Sequence, residues 1–187
     1  IRSISFCQTI LYERENMNSK VALINPGKFS WASIHQPFNL GFIASYLEQQ
    51  GVKVIIIDEL AGQNLITQLT KFQPDIVGIT AMTVVAPDAY RAAAIAKKRG
   101  LLTVMGGVHA SLLPEEALQN VDIVVKGEGE LAMWEIVQGR RDKLIANPYQ
   151  KNIDLLPAPA WHLMDMNFYL STRDRIPRSH LYLPVSP

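Results

Sequence analysis

Residues 76–109 read IVGITAMTVVAPDAYRAAAIAKKRGLLTVMGGVH, and this stretch decides the fold. It begins with the apolar, β-branched run Ile76 to Thr80 and continues with helical spacing from Ala86 to Arg99. Gly100, a residue type that commonly follows the last turn of a helix, precedes a second apolar run from Leu102 to Met105. The stretch therefore predicts a strand, a helix and a second strand, which is the repeating unit of a parallel sheet.

The same alternation extends in both directions from this unit. Because the strands are apolar throughout and are separated by helices, we expect a sheet that is covered on both faces and connected by right-handed crossovers. The prediction is a doubly wound, five-stranded parallel α/β sheet, flavodoxin-like or Rossmann-like, with strand order 2-1-3-4-5. The expected strands are Lys20 to Ile24, Val52 to Ile57, Ile76 to Thr80, Leu102 to Met105 and Asp122 to Val125, and the helical segments are Leu40 to Gln50, Asn64 to Phe72, Ala86 to Arg99 and Pro114 to Gln119.

The amino-acid composition limits the functional classes to which this protein can belong. The 187 residues include 18 basic and 17 acidic side chains, so the net charge offers no general attraction to nucleic acid or to a membrane surface. No apolar run reaches the roughly 20 residues that a membrane helix needs. Cys7 is the single cysteine of the sequence, which rules out an internal disulfide and favours a reducing, cytoplasmic compartment.

Prolines mark the end of the predicted domain. Residues 17–140 are expected to form the α/β domain, and residues 141–187 a proline-containing linker with a C-terminal extension. Residues 1–16, which precede Met17, are interpreted as a leader that need not be native, and they lack the apolar region of a secretion signal.

Ligands of such sheets bind outside the carboxyl ends of the strands, so the loops at that edge hold the candidate site. Gly106 and Gly107 follow strand four, where two missing side chains let a ligand approach the backbone, although a tight turn is an equal alternative. His109 stands just beyond them. We interpret it as a hydrogen-bonded loop histidine in preference to a metal ligand.

Two further loops at this edge carry polar or small residues. Thr80, Met82 and Thr83 end strand three and can form a shelf that hydrogen-bonds a heterocycle edge, or they can simply cap a turn. The segment 126–130, KGEGE, contains Gly127, Glu128 and Gly129, whose backbone amides can point into a site; a flexible turn before the next helix is the alternative.

The loop after strand one is long and contains Trp31 and His35. It can supply an apolar lid over a planar cofactor, or its aromatic side chains can cover the edge of the sheet. Asp58 at the end of strand two resembles the ribose-binding acid of dinucleotide domains. Strand one, however, is followed by Asn25-Pro26-Gly27 without the G-x-G-x-x-G motif, and the chain has no P-loop motif. The sequence therefore disfavours both of these nucleotide sites.

Taken together, several segments resemble one family, the N-terminal cobalamin-binding domain of B12-dependent radical S-adenosylmethionine enzymes. The resemblance covers roughly residues 19–135, and the LPAP segment at 156–159 resembles the linker that follows in that family. The segments that carry it are 25–26 (NP), 39–41 (NLG), 44–47 (ASYL), 74–80 (PDIVGIT), 106–110 (GGVHA) and 124–130 (VVKGEGE).

The resemblance implies cobalamin as the cofactor, with the corrin ring over the carboxyl ends of the strands and the nucleotide tail inserted into the domain. The residues that it assigns to cofactor binding lie on the loops described above, with Trp31 and Leu40 contributed by the first crossover. They are Trp31, Leu40, Thr80, Met82, Thr83, Gly106, Gly107, His109, Gly127, Glu128 and Gly129.

Two motifs of related proteins are absent. The D-x-H-x-x-G motif, whose histidine ligates cobalt, would require aspartate at Ser33 and glycine at Phe38 if it were centred on His35. We therefore expect base-off cobalamin without a protein histidine ligand, with His35 as the alternative cobalt ligand. The C-x-x-x-C-x-x-C motif of the catalytic domain is also missing, so this chain alone is expected to hold no iron-sulfur cluster and to have no catalytic activity.

The sequence therefore predicts a cobalamin-binding module from a longer B12-dependent radical enzyme, with the catalytic domain in the same polypeptide or in a separate one. The alternatives are a flavodoxin-like domain that binds a nucleotide or flavin, and a non-catalytic interaction domain. Neither nucleic acid nor a membrane is expected as a partner.

Overall fold

A computed structural model describes residues 19–28, 36–147 and 156–173 of the chain. Strands and helices alternate through these residues. The strands are β1 (Lys20–Asn25), β2 (Lys53–Asp58), β3 (Ile76–Thr80), β4 (Leu102–Gly106), β5 (Ile123–Gly127) and β6 (Leu144–Asn147). The α-helices are α1 (Phe38–Gln49), α2 (Leu65–Phe72), α3 (Ala86–Lys97), α4 (Val108–Leu112), α5 (Pro114–Leu118), α6 (Gly129–Val137) and α7 (Met166–Arg173), with 3-10 turns at Thr83–Val85 and Trp161–Leu163.

The strands form one parallel sheet in the order β2-β1-β3-β4-β5-β6. The predicted order 2-1-3-4-5 is confirmed for the first five strands, but the predicted count of five is wrong. The sixth strand, β6, pairs in parallel with residues Val124 to Gly127 of β5. It has only four residues, of which Ile145 alone is buried, and Pro148 follows it. An edge strand this short lacks the apolar run by which a strand is recognised in a sequence.

Helices cover both faces of the sheet and create two apolar layers. One face packs against α1 and α6, and its core includes Leu23, Val104, Val125, Leu40 and Met133. The other face packs against α2 to α5, where the alanines of α3 allow that helix to approach the sheet closely. Strand residues alternate between the two layers, as the twofold periodicity of a strand requires.

The helices between β4 and β6 differ from the prediction. Helix α4 begins at Val108, directly after Gly107, and a second short helix, α5, follows it where a single segment from Pro114 to Gln119 was predicted. The segment after β5 forms α6. No described helix combines the length and the apolar character that a membrane crossing requires.

Residues 156–173, which we name the strap, pack back onto the domain. The backbone amide of Ala160 donates a hydrogen bond of 3.0 Å to the carbonyl oxygen of Gly41 in α1. Met164 is buried against the same helix, and a Cβ atom at Gly41 would lie 2.1 Å from the Met164 Cε atom. A glycine in the middle of a helix lowers helix stability by about 1 kcal/mol relative to alanine. At Gly41, the missing side chain leaves room for Met164 of the strap.

Candidate functional site

A cavity of about 240 Å³ opens at the carboxyl edge of the sheet, on the face covered by α1 and α6. It lies over the ends of β3, β4 and β5. Its lining residues are Leu23, Asn39, Leu40, Ile43, Gly78, Ile79, Thr80, Val104, Gly106, Gly107, Val125, Gly127, Glu128, Gly129, Glu130 and Met133. We name this cavity the slot. Ligand pockets typically enclose roughly 300–1,000 Å³, so the slot suits one ring system of a larger ligand.

Glycines form the floor of the slot where larger side chains would fill it. Gly78 pairs with Val104, and Thr80 pairs with Gly106, so the two glycines lie diagonally across neighbouring strands. A Cβ atom at Gly78 would lie 2.8 Å from the Leu23 Cδ2 atom. The missing side chain at Gly78 therefore leaves room for Leu23 to pack beneath the slot. A Cβ atom at Gly106 would find only the carbonyl oxygen of Val125, at 3.8 Å, so any side chain there would occupy the slot.

The N-terminal turn of α6 forms one side of the slot. Glu128 is the N-cap residue but makes no side-chain capping hydrogen bond, and Gly129 and Glu130 begin the helix. A Cβ atom at Gly129 would lie only 2.6 Å from the Ile43 Cδ1 atom. Because Gly129 has no side chain, α6 can lie close to α1 at this point. Burial, together with the neighbouring charge of Glu128, raises the pKa of the Glu130 carboxyl above its ordinary value. The slot thus combines an apolar floor with carboxylates at one rim.

A second cavity of about 250 Å³ adjoins the slot and is mainly apolar. Its lining residues are Asn25, Pro26, Gln36, Pro37, Asn39, Leu60, Thr80, Met82, Val85, Gly107 and Val108. The two cavities share Asn39, Thr80 and Gly107. The Asn39 side-chain amide donates a hydrogen bond of 2.8 Å to the Thr80 hydroxyl, so this pair forms the partition between them.

Gly107 shapes the turn between β4 and α4. Its φ angle of +93° is one that residues with a side chain rarely adopt, and a Cβ atom would lie 2.7 Å from the carbonyl oxygen of Ala81. That carbonyl accepts a hydrogen bond of 3.0 Å from the backbone amide of His109. The Ala81 amide in turn donates to the carbonyl oxygen of Gly106 at 3.0 Å. Only glycine fits this junction between the loops that follow β3 and β4.

The His109 side chain lies outside both cavities, on the other side of the sheet edge. It is buried, and its Nε2 atom lies 2.7 Å from the Tyr90 hydroxyl, which donates to the Glu116 carboxylate at 2.9 Å. A Tyr90 hydroxyl that donates to Glu116 can accept a hydrogen bond from Nε2 when His109 is the tautomer protonated at that atom. Burial and the carboxylate raise the pKa of Tyr90 to about 12, which keeps its hydroxyl protonated.

The structure brings most of the predicted binding residues together but separates a few. Met82 lines the second cavity, whereas Thr83 is exposed at the start of a 3-10 turn and lines neither cavity. Trp31 and His35 lie outside the described residues. The predicted residues that line the slot are Leu40, Thr80, Gly106, Gly107, Gly127, Glu128 and Gly129.

Several residues that line the slot from within helices and strands were not predicted from the sequence. Ile43 and Met133 enter the slot from α1 and α6, and Leu23 and Gly78 from the strands. One signal was present, because a glycine inside a buried strand often marks a close approach of another group, and Gly78 interrupts β3 in this way. Within the described residues, no three histidine, cysteine, aspartate or glutamate side chains are grouped to hold a metal ion.

Comparison with known proteins identifies one matching family and several relatives. Residues 28–137, more than half of the chain, match the model of the B12 binding domain family. An uncharacterized methyltransferase, PH0819 of Pyrococcus horikoshii, is 35% identical over 160 residues, which cover 71% of this chain and 35% of that protein. An anaerobic magnesium-protoporphyrin IX monomethyl ester cyclase of Rubrivivax gelatinosus is 29% identical over 166 residues, covering 72% of this chain and 30% of the cyclase.

The matched region spans about a third of the length of these relatives. Among solved structures, a cobalamin-binding protein from Desulfitobacterium hafniense shares 17% identity and a TM-score of 0.36, over 50% of this chain and 46% of its own. That similarity is too low for a comparison of the two sites.

Proposed function

The chain belongs to the B12-binding domain family and is a cobalamin-binding module, and from this premise we propose that the slot holds the nucleotide tail of the cofactor. The observation that carries the proposal is the open floor at Gly106, where a flat ring could lie against the strand backbone. The resemblance identified in the sequence to the cobalamin domain of B12-dependent radical enzymes is confirmed by the family match.

The shape of the slot supports this assignment. Its volume of about 240 Å³ suits a single bicyclic base better than a corrin macrocycle, so the corrin is assigned to the open carboxyl edge above it. Apolar side chains from α1 and α6, Leu40, Ile43 and Met133, would contact the faces of the base. The partition formed by Asn39 and Thr80 would offer hydrogen-bonding groups to the polar part of the tail.

A tail inserted in the slot implies the base-off form, in which the base does not ligate cobalt. Apolar side chains dominate the second cavity, including Pro26, Leu60, Met82 and Val85, and its lining contains no histidine among the described residues. We therefore propose that no described residue ligates cobalt from below. When bound, cobalamin would supply a redox-active cobalt centre for methyl transfer or related radical chemistry.

The catalytic step is assigned to the remainder of a longer protein. The relatives named as a methyltransferase and a cyclase are about three times as long as the matched region. We infer that this module presents cobalamin to a radical S-adenosylmethionine catalytic domain, in the same polypeptide or in a partner. The residues described here would bind and orient the cofactor and exclude water from its tail.

Cobalamin binding can be tested by gel filtration. Purified protein is mixed with hydroxocobalamin at micromolar concentration and separated, and elution is followed at 280 nm and in the visible range. We expect the red chromophore to co-elute with the protein. Elution of all hydroxocobalamin in the small-molecule fraction would contradict the proposed function.

A further inference from the structure

Asp58, at the carboxyl end of β2, is a buried carboxylate that the proposed cobalamin site does not use directly. Only 1% of the residue is exposed, and both oxygens accept hydrogen bonds. Oδ1 accepts from the Asn25 side-chain amide at 3.0 Å and from the Leu60 backbone amide at 3.1 Å. Oδ2 accepts from the Tyr169 hydroxyl at 2.5 Å. Three donors on one buried carboxylate form a specific polar cluster in which each partner affects the others.

The four residues of this cluster come from three parts of the chain that are far apart in sequence. Asn25 ends β1, Asp58 and Leu60 lie at the end of β2 and in the loop after it, and Tyr169 belongs to α7 in the strap. Burial and the negative charge of Asp58 raise the pKa of Tyr169, so its hydroxyl stays protonated and acts as the donor. Burial raises the pKa of the Asp58 carboxyl above its ordinary value, although the hydrogen bonds from Tyr169 and Asn25 act in the opposite direction. The strap is therefore attached to the carboxyl edge of the sheet by a buried hydrogen bond between Tyr169 and Asp58.

Two further contacts of the strap are made with α1. Trp161 packs edge-to-face on Phe38 with 5.2 Å between ring centroids, and the His162 Nε2 atom lies 3.0 Å from the Glu48 Oε1 atom. Tyr169, in contrast, connects α7 with Asp58 at the end of β2.

Two members of the cluster also line the second cavity. Asn25 and Leu60 contribute to its wall, and both donate hydrogen bonds to the Oδ1 atom of Asp58, whose Oδ2 atom accepts from Tyr169. The second cavity shares the Asn39 and Thr80 partition with the slot. A continuous set of hydrogen bonds and packed side chains therefore runs from the strap to the wall of the cobalamin site.

We propose that Asp58 and Tyr169 form a latch that couples docking of the strap to cobalamin binding, with Tyr169 as a positioning residue. The proposal rests on the proposed function, because it concerns affinity for cobalamin. When Tyr169 is hydrogen-bonded, Asp58 holds Asn25 and Leu60 in the arrangement that forms the cavity wall. Coupling of this kind is reciprocal, so bound cobalamin must also favour the docked strap.

The test compares Tyr169→Phe with the unmodified chain. The substitution keeps the ring and removes the hydroxyl, so Asp58 loses one donor. Titration with hydroxocobalamin, followed by visible absorbance, is expected to give a Kd about tenfold higher for the variant, within the range typical of coupled sites. Without ligand, amide hydrogen exchange is expected to be faster at residues 25–28 and 58–62. In the unmodified chain, hydroxocobalamin is expected to slow exchange in α7.

His162→Phe is the matched control, because it keeps a ring, removes another polar contact of the strap, with Glu48, and leaves the latch intact. It should leave the Kd unchanged. The coupling is overturned if Tyr169→Phe binds hydroxocobalamin as tightly as the unmodified chain, or if its exchange changes are confined to α7. Failure of the unmodified chain to bind hydroxocobalamin would instead overturn the proposed function, and the coupling with it.

Discussion

Gly106 and Gly107 are neighbours in the sequence, but they meet different structural requirements. At Gly107 a side chain would collide with the backbone of Ala81, and the φ angle of +93° also favours glycine. At Gly106 the backbone is ordinary strand, and the space above it belongs to the slot. A substitution at Gly107 therefore tests stability, whereas one at Gly106 tests the cavity.

Gly106→Leu should block the slot and preserve the fold. The leucine side chain would occupy the volume assigned to the nucleotide tail, so we expect hydroxocobalamin affinity to fall by at least about 100-fold, equivalent to roughly 2.8 kcal/mol. Because no atom other than the Val125 carbonyl oxygen lies near the new Cβ, the free energy of unfolding should change little. The measurements are an absorbance titration and urea denaturation.

Ala94→Leu, on the exposed side of α3, provides a control for the added side-chain volume. It should leave both quantities unchanged. Unaltered affinity in Gly106→Leu would remove the slot from the cofactor site.

The sequence placed His109 among the candidate cofactor-binding residues and favoured a hydrogen-bonded histidine over a metal ligand. The hydrogen bond agrees with the structure, but the side chain lies outside both cavities. In the structure the His109 side chain contacts the Tyr90 hydroxyl on α3, and its backbone amide donates a hydrogen bond to the carbonyl oxygen of Ala81 in the loop after β3. The direction of a side chain at the first turn of a helix depends on which helix lies beside it, and the sequence pattern does not contain this information.

Strands β4 and β5 share the shortest register in the sheet, with Val104 opposite Ile123 and Met105 opposite Val124. Asp122 reinforces this pairing at the amino end of the strands. Its Oδ2 atom accepts hydrogen bonds from the Thr103 amide at 2.9 Å and the Thr103 hydroxyl at 2.7 Å. Its Oδ1 atom lies 3.2 Å from the Lys97 Nζ atom at the end of α3. One carboxylate thus connects three elements.

Asp122→Ala should lower the free energy of unfolding by about 1–2 kcal/mol at pH 7, allowing for partial exposure of the site. Partial burial alone would raise the pKa of Asp122, but the Thr103 hydrogen bonds and the Lys97 charge outweigh it and lower the pKa below 3.8. The carboxylate therefore contributes stability above pH 3.8 and loses it as the pH falls through the lower pKa of the folded state.

Urea denaturation of both proteins between pH 2.5 and pH 7 measures this dependence. The stability difference should shrink at the acid end. Asp142→Ala, which removes a more exposed carboxylate paired with Arg140, is the control and should have a smaller effect. A difference that does not vary with pH would show that packing, not the charge of Asp122, connects these elements.

For the whole molecule, ligand binding and stability are linked. A ligand that binds only the folded state at 100 times its Kd stabilises that state by about 2.7 kcal/mol. For a chain of this size, hydroxocobalamin should therefore raise the melting temperature by roughly 5–10 °C. Differential scanning calorimetry with hydroxocobalamin, FMN and ATP measures the selectivity. Stabilisation by FMN or ATP, but not by hydroxocobalamin, would favour the flavodoxin-like alternative.

The sequence by itself determined the alternation of elements, the parallel sheet, the order of its first five strands and the edge where the ligand site lies. These features depend on local periodicity and on glycines and prolines, which are read within a few residues. The ordered motifs also identified the cobalamin-binding family, because four of the six segments lie at the ends of predicted strands and the other two lie at the first predicted helix.

Four features became known only from the tertiary structure. They are the presence of β6, the open floor of the slot, the different structural requirements at Gly106 and Gly107, and the attachment of the strap at Asp58. Each of these depends on contacts between residues far apart in the chain, such as Gly78 with Leu23 or Tyr169 with Asp58. A cavity is the volume that packed side chains leave empty. Its shape is therefore set by how elements meet, and the spacing of residues within one element does not specify it.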